Sequence, residues 1–332
     1  MRLTCFTKNE GTSFIKKKIK NPFFHEFVKN YSLYIMTIPG LVFVFLLCYL
    51  PMVGILVGFK DYRNYANNFF INIIKSKWVG FKYFRRFLHD PDFMYSLRNT
   101  VLYQLSFILL GLVISVLIAL LLNEIRNRYL SKIYQSIMLL PFFLSWVVLS
   151  YVVFAFLSVE NGFLNKTVFQ YLGIEPIKWY MEPGYWPFIL FFANTLKYTG
   201  YASIIYLAAI VGIDPEYYEA AIIDGANRLQ LATKVTIPLI SHVIIILLIL
   251  NLGNILAADF GLFFNIPLES EFVLKTTSVV DMYIYRSLRG AQAGGDMMVS
   301  TAAGFFKSLV GLTLVSATNF IVKKIDSQKA LF

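Results

Sequence analysis

Residues 212–238 read GIDPEYYEAAIIDGANRLQLATKVTIP and separate two long apolar blocks of the chain. Asp214 is of a residue type that caps helix N-termini, and Pro215 suits the first helical position. Gly225 can adopt the left-handed backbone conformation that ends a helix. Pro238 lacks an amide proton and therefore suits the start of the next helix. The stretch predicts a short helix, a turn and a second helix.

The flanking blocks decide the fold class. The chain has 332 residues, of which 58% are hydrophobic and 15% charged, whereas soluble domains have roughly 25% charged residues. The apolar residues form blocks of about 20 or more, long enough to cross a bilayer as helices. The blocks span residues 34–59, 97–122, 133–157, 186–211, 238–262 and 299–322. The sequence predicts an all-α integral membrane protein with about six transmembrane helices.

Basic residues indicate the orientation of these helices. They cluster before the first block, between the second and third, and after the sixth. The residues are Lys16, Lys17, Lys18, Lys20, Lys29, Arg126, Arg128, Lys132, Lys323, Lys324 and Lys329. Because positive loops stay cytoplasmic, both termini are predicted to be cytoplasmic. Residues 60–96 are then outside although they are basic, and we interpret their aromatic part as an interfacial amphipathic segment. Those aromatics are Trp78, Phe81, Tyr83, Phe84 and Phe87.

Several function classes are disfavoured by the residues present. The formal net charge is +11, but the basic residues lie between apolar blocks and form no nucleic-acid-binding module. Cys5 and Cys48 suggest neither a disulfide nor a metal site. The sequence contains no phosphate-binding loop and no catalytic motif, so we expect no catalytic residues, no metal and no enzyme activity. On these grounds alone, a channel or an ion-coupled secondary transporter remains an alternative to an ATP-driven transporter.

The loop between the fourth and fifth blocks resembles a known motif. Its residues and their spacing are similar to the EAA loop of type I ABC importer permeases. That resemblance implies a cytoplasmic coupling helix that sits in a groove of a separate ATP-hydrolysing subunit. The positions that match are Glu219, Ala220, Ala221, Asp224, Gly225, Ala226 and Pro238.

Further segments resemble the carbohydrate-importing branch of that family. Examples are Tyr49-Leu50-Pro51, Arg98-Asn99-Thr100 and Leu140-Pro141. The resemblance implies a permease for a sugar, such as an oligosaccharide or polysaccharide fragment, in the plasma membrane of a prokaryote. It also implies a second permease subunit, two ATP-binding cassette subunits and an extracellular solute-binding protein. ATP and Mg would be used by the partner ATPase, with no cofactor in this chain.

On this basis the chain is expected to have four parts. They are a cytoplasmic basic leader (1–32), a first transmembrane helix with an extracellular loop (33–96), a five-helix core (97–322) and a cytoplasmic tail (323–332). The core contains the coupling loop 212–238. No internal repeat or linker separates soluble domains.

Polar residues inside the apolar blocks are candidates for the substrate path, because polar groups in lipid are costly. The fourth block has a polar stripe, and the fifth has asparagines followed one turn later by Ala258. Such amides and hydroxyls could replace water around a sugar, or could instead hydrogen-bond between helices. The candidates are Trp146, Asn194, Lys197, Tyr198, Asn251 and Asn254. For Lys197 we expect contacts with backbone carbonyls, a neighbouring subunit or an anionic substrate.

Overall fold

The computed structural model describes residues 30–290 and 296–325, without the side chain of residue 325. Most of the basic leader and residues 326–332 lie outside these ranges. The described part is mostly helical. Its α-helices are α1 (Tyr31–Val44), α2 (Phe69–Lys75), α3 (Lys82–Leu88), α4 (Pro91–Asn123), α5 (Arg128–Phe143), α6 (Trp146–Leu157), α7 (Gln170–Leu172), α8 (Trp186–Val211), α9 (Pro215–Ile223), α10 (Arg228–Gln230), α11 (Ile237–Gly253), α12 (Phe260–Asn265), α13 (Leu274–Thr277), α14 (Val280–Arg289) and α15 (Met297–Ile325).

The chain divides into two compact units, Met1–Gly54 and Ile55–Phe332. In the described part of the first unit, α1 continues into a π-helical turn, Phe45–Tyr49. Its apolar side chains are largely exposed, as expected for a helix that is surrounded by lipid. The domain boundaries and the orientation deduced from the sequence stay predictions.

Four continuous helical stretches are long and apolar enough to cross a membrane. They are Tyr31–Phe59, Pro91–Asn123, Arg228–Gly253 and Met297–Lys324. Two bent helix pairs, α5 with α6 and Pro183–Val211 with α9, bring the number of candidate spans up to 6. The predicted membrane architecture of about six helices is confirmed.

The third block, predicted as a span over 133–157, is not one straight helix but is broken into α5 and α6. α5 and α6 meet at an angle of 99°. Leu144 and Ser145 between them have extended backbones. Ser145 starts α6 because its hydroxyl accepts a hydrogen bond from the N–H of Val148 at 3.3 Å, which is a helix cap. A hydropathy count does not detect such a break, since the residues on both sides are apolar.

The fifth block also differs from its prediction, because α11 ends at Gly253 and not at residue 262. Asp259 caps a separate helix, α12, by accepting a hydrogen bond from the N–H of Gly261 at 2.9 Å. Asn254 therefore lies at the end of α11 and Ala258 lies outside it, so the predicted stripe does not continue along one helix. Residues 254–259 are therefore a break between α11 and α12.

Residues 60–88 form a folded segment and not a free amphipathic helix. Lys60–Asp61 pairs antiparallel with Lys77–Trp78. On α3, Tyr83, Phe84 and Phe87 are buried and pack with residues of α14 and α15. The interfacial interpretation is wrong for these three side chains, which are buried in protein, while Trp78 and Phe81 are exposed.

A hydrogen bond in this segment changes two pKa values. The Tyr83 hydroxyl donates to Asp61 Oδ1 at 2.8 Å. This hydrogen bond is the main cause that lowers the pKa of Asp61 below its ordinary 3.8. Burial, with the same hydrogen bond as the second cause, raises the pKa of Tyr83 to about 12. The pair ties the short strand to α3.

The helices of the second unit enclose a polar space. α4 packs along α8, and α11 packs against both α8 and α15. At one end of this space, a buried core is formed by Trp186, Leu190 and Phe263 with residues of α14. At the other end, Tyr206 and Ile240 join α4 in a second core. The two cores fix the helices whose polar faces meet between them.

Candidate functional site

α9 begins and ends as the sequence predicts. Asp214 caps it, with Oδ1 accepting a hydrogen bond from the N–H of Glu216 at 3.1 Å, and Pro215 lies in the first turn. At the other end Gly225 has φ +80°. The N–H of Gly225 donates to Ile222 O, and the N–H of Ala226 donates to Ala221 O, both at 3.0 Å. These two bonds are a Schellman motif, the helix stop that favours glycine.

The second helix of the loop begins earlier than Pro238. Asn227 and Gln230 form a capping box, with reciprocal bonds of 2.8 Å and 2.9 Å, and helical structure is continuous from Arg228. Pro238 lies in the first turn of α11, as predicted, but helical structure already begins ten residues earlier. The preceding turns, Leu231–Thr236, are π-helical. A widened π turn accommodates a proline that has no N–H to donate.

The loop exposes an apolar surface while its base is anchored. The side chains of Tyr217, Ile222, Ile223 and Leu229 are exposed, with Ile223 at 85%. α9 makes an angle of 73° with the helix before it. Of the predicted coupling residues, Ala221 and Ala226 are half-buried and the others are exposed.

Two side-chain contacts anchor this loop to the helices. The hydroxyls of Tyr218 and Thr236 are 3.1 Å apart, which joins α9 to the following helix. Arg228 Nη1 lies 2.9 Å from Glu124 Oε2 at the end of α4. Both side chains of the ion pair are exposed, so it adds little stability. The loop is thus an anchored helix-turn-helix with an exposed apolar edge, a surface suited to docking.

A cavity of about 440 Å³ lies between α4, α8, α11 and the break after α11. Its volume is within the range of ligand sites in proteins. Its wall combines amides and hydroxyls with aromatic and aliphatic surface. The polar lining residues are Gln104, Ser115, Asn194, Tyr198, Thr199, Tyr201, Tyr206, Asn251, Asn254 and Asp259. Such a wall can hydrogen-bond a neutral polar ligand in many orientations.

The structure places the six path candidates in two layers. Asn194, Tyr198, Asn251 and Asn254 line the cavity. Trp146 and Lys197 lie behind that wall. Lys197 is 7% exposed, and its ammonium donates to Phe142 O at 3.2 Å and to Leu144 O. It also lies 5.0 Å from the centre of the Trp146 ring, which is a cation–π contact. Lys197 therefore binds the backbone carbonyls at the α5–α6 break, which is one of the three contacts expected for it from the sequence.

Asp259 joins the two layers. Its Oδ2 accepts hydrogen bonds from Trp146 Nε1 at 2.7 Å and from the Tyr198 hydroxyl. Because Asp259 also caps α12, one carboxylate holds three helices at the cavity. Sequence reasoning did not include Asp259 or Gln104 among the candidates. Gln104 could have been noticed as an isolated amide within the second apolar block, whereas the position of Asp259 depends on the break after α11.

The coupling loop and most of the cavity residues lie within the match to one protein family. A profile of the family described as "Binding-protein-dependent transport system inner membrane component" matches residues 111–328. The chain belongs to this family. The resemblance to ABC importer permeases indicated by the loop is confirmed, and this inner membrane component is a transport subunit and not an enzyme.

Relatives and solved structures agree with this assignment. The component is 36% identical to Protein LplB of Bacillus subtilis over 90% of this chain and 91% of that protein. It is 33% identical to the polygalacturonan/rhamnogalacturonan transport system permease protein YteP of the same organism, over 94% of each. A chain of a bacterial ABC transporter involved in alginate import has a TM-score of 0.82 and 30% identity, covering 92% of this chain and 100% of that one.

Proposed function

We propose that this inner membrane component is the permease subunit of an ATP-driven importer for an oligosaccharide or polysaccharide fragment. The relatives that are named for a substrate support a saccharide, since YteP is named for polygalacturonan/rhamnogalacturonan and the alginate transporter for an acidic polysaccharide. The amide- and hydroxyl-lined cavity supports it as well, because such groups can replace the water around a sugar. The family assignment favours this function over a channel or an ion-coupled transporter.

The proposed assembly contains this subunit, a second permease, two ATP-binding cassette subunits and an extracellular binding protein in a prokaryotic plasma membrane. A solved alginate transporter in complex with a pentasaccharide-bound periplasmic protein matches the chain with a TM-score of 0.81, which supports delivery by a binding protein. ATP and Mg would bind to the cassette subunits. Their closure would move α9, which is joined to α8 at a sharp bend, and so change the access to the cavity.

The observation that supports the coupling role is the exposed apolar edge of the loop. Among the exposed residues of this edge, Ile223 has the most accessible side chain. An apolar edge of this kind, on a helix outside the lipid, is stabilised when a partner covers it. The coupling role therefore predicts that a cassette subunit contacts Ile223 directly.

Cysteine crosslinking tests that contact in native membranes. The tagged chain, with Cys5→Ser and Cys48→Ser, receives a single cysteine at Ile223 or, as a matched control, at Tyr171. Both native side chains are largely exposed, but Tyr171 is predicted to lie on the extracellular side. We expect the Ile223 cysteine to capture a subunit that hydrolyses MgATP and the Tyr171 cysteine not to capture it. Capture by neither position, or equally by both, contradicts the proposed coupling surface.

Substitution of Gly225 tests the same role without a crosslinker. Asn and Asp both tolerate the left-handed conformation and have nearly the same shape, so Gly225→Asn and Gly225→Asp differ chiefly in charge. We expect both variants to express normally. Gly225→Asn should retain the MgATP-hydrolysing partner during purification, and Gly225→Asp should lose it, because a charge is then placed at the docking surface. Equal retention by the two variants speaks against docking at this turn.

A further inference from the structure

One peptide unit in the break after α11 is held from both sides by side chains. Residues 254–259 leave the helical hydrogen-bond pattern, and their backbone groups need other partners in a membrane interior. The carbonyl of Ala257 accepts a hydrogen bond from Gln104 Nε2 at 2.7 Å. The N–H of Ala258 donates to Asp281 Oδ2 at 2.9 Å. These two groups belong to the same peptide unit, so Gln104 and Asp281 form a clamp around it.

The second oxygen of Asp281 adds another helix to this clamp. Asp281 Oδ1 forms an ion pair with Lys307 Nζ. The side chains are only 22% exposed for Lys307 and 19% exposed for Asp281. A carboxylate in such a place would be costly without a cationic partner. Lys307 on α15 therefore pairs with one oxygen of Asp281 while the other oxygen binds the peptide.

The clamped peptide is part of the cavity wall. Ala257 lines the cavity, as do Asn254 before it and Asp259 after it. Asp259 in turn holds Trp146 and Tyr198. A displacement of the peptide would thus move polar groups on both sides of it within the cavity.

We propose that Gln104 and Asp281 are positioning residues that fix the Ala257–Ala258 peptide and thereby the polar wall on which a transported saccharide would lie. The role of the clamp in holding a saccharide-binding wall rests on the proposed transport function. The clamp itself can be tested on the isolated chain.

The test measures local opening of the break by thiol labelling. In the purified chain with Cys5→Ser and Cys48→Ser, a reporter cysteine replaces Leu256, which is 3% exposed. A control cysteine replaces Ile240, which is 2% exposed and lies near the start of α11, far from the break. A methanethiosulfonate reagent labels either thiol only when its surroundings open. Local release raises the rate at 256 alone, whereas global destabilisation raises both rates.

Two double variants separate the hydrogen bond from the ion pair. Asp281→Asn with Lys307→Met removes both charges but keeps an oxygen that can accept from Ala258. Asp281→Leu with Lys307→Met removes the charges and the acceptor. We expect the Asn variant to label at the parent rate at position 256. The Leu variant should label about fivefold faster or more, the population change that corresponds to the loss of one hydrogen bond.

Gln104→Leu provides a second route that leaves the ion pair intact. It removes the donor to the Ala257 carbonyl and should also raise the rate at position 256 by about fivefold, with no change at position 240. If the Asp281→Leu variant does not fold, this variant still decides the question. Unchanged labelling at 256 in Gln104→Leu, or equal acceleration at 256 and 240, overturns the proposal. Neither result depends on an ATPase or a saccharide, so failure of the transport assignment is seen separately.

Discussion

Gly200→Ala tests the closest approach between two of the bundle helices. A Cβ atom at Gly200 on α8 would lie 1.9 Å from the backbone oxygen of Met138 on α5 and 2.6 Å from its carbonyl carbon. Favourable contacts between heavy atoms begin at about 3.5 Å. The obstacle is backbone and not a flexible side chain, so α5 and α8 must separate. Overpacking of this kind costs about 1–3 kcal/mol, and the better helix propensity of alanine offsets up to about 1 kcal/mol.

We therefore expect Gly200→Ala to lower the free energy of unfolding by about 1–2 kcal/mol. Gly111 on α4 is the matched control, since a Cβ atom there has nothing within 4 Å. Gly111→Ala should be neutral or raise the free energy of unfolding by up to about 1 kcal/mol. Both are measured by circular dichroism of the detergent-solubilised chain during titration with a denaturing detergent. If Gly200→Ala is as stable as Gly111→Ala, the close packing of α5 and α8 described above is refuted.

Three further predictions concern single contacts. Lys197→Met should lower the free energy of unfolding by about 2 kcal/mol in the same titration. The loss of two charge-assisted hydrogen bonds outweighs the gain from removing a buried charge. An unchanged unfolding midpoint contradicts this role of Lys197. Asn165 is buried and exchanges hydrogen bonds of 2.9 Å and 3.1 Å with the backbone of Ile177. Asn165→Leu should therefore lower the free energy of local opening of the loop between α6 and α8 by about 2–4 kcal/mol, which is measured as faster proteolysis there and not elsewhere. Tyr83 lowers the pKa of Asp61 in the folded chain, so their hydrogen bond stabilises the fold above the ordinary pKa of 3.8, and this stabilisation is lost as the pH falls through the lower folded value. Tyr83→Phe should therefore lower the unfolding midpoint at neutral pH and have little effect at strongly acidic pH. An equal effect at both pH values would exclude this linkage.

Local chemistry predicted the loop accurately. The cap at Asp214 and the stop at Gly225 depend on residue types whose backbone preferences act within one helical turn. The long spans were also predictable, because the apolar blocks are longer than any soluble core helix requires. The bounds of α8 agree with the predicted block at both ends.

Breaks within apolar blocks were not predictable from composition. The α5–α6 bend is stabilised by Lys197, which is more than fifty residues away along the chain. The break after α11 is held by Gln104 and Asp281, which come from other helices. Hydropathy describes whether a residue prefers lipid, but these turns are decided by polar partners that become visible only when the helices are assembled. The same limit explains why Asp259 was left out of the candidate site.

The α5–α6 bend implies an order of events during synthesis of the chain. Phe142 and Leu144 leave the ribosome well before Lys197, whose ammonium binds their carbonyls in the finished protein. A newly inserted segment has no such donor, and in lipid its carbonyls are best satisfied by an unbroken helix. We expect the third span to enter the membrane as one straight helix and to bend only after α8 has followed it. The bend is then a late step of maturation, set by the arrival of a single lysine.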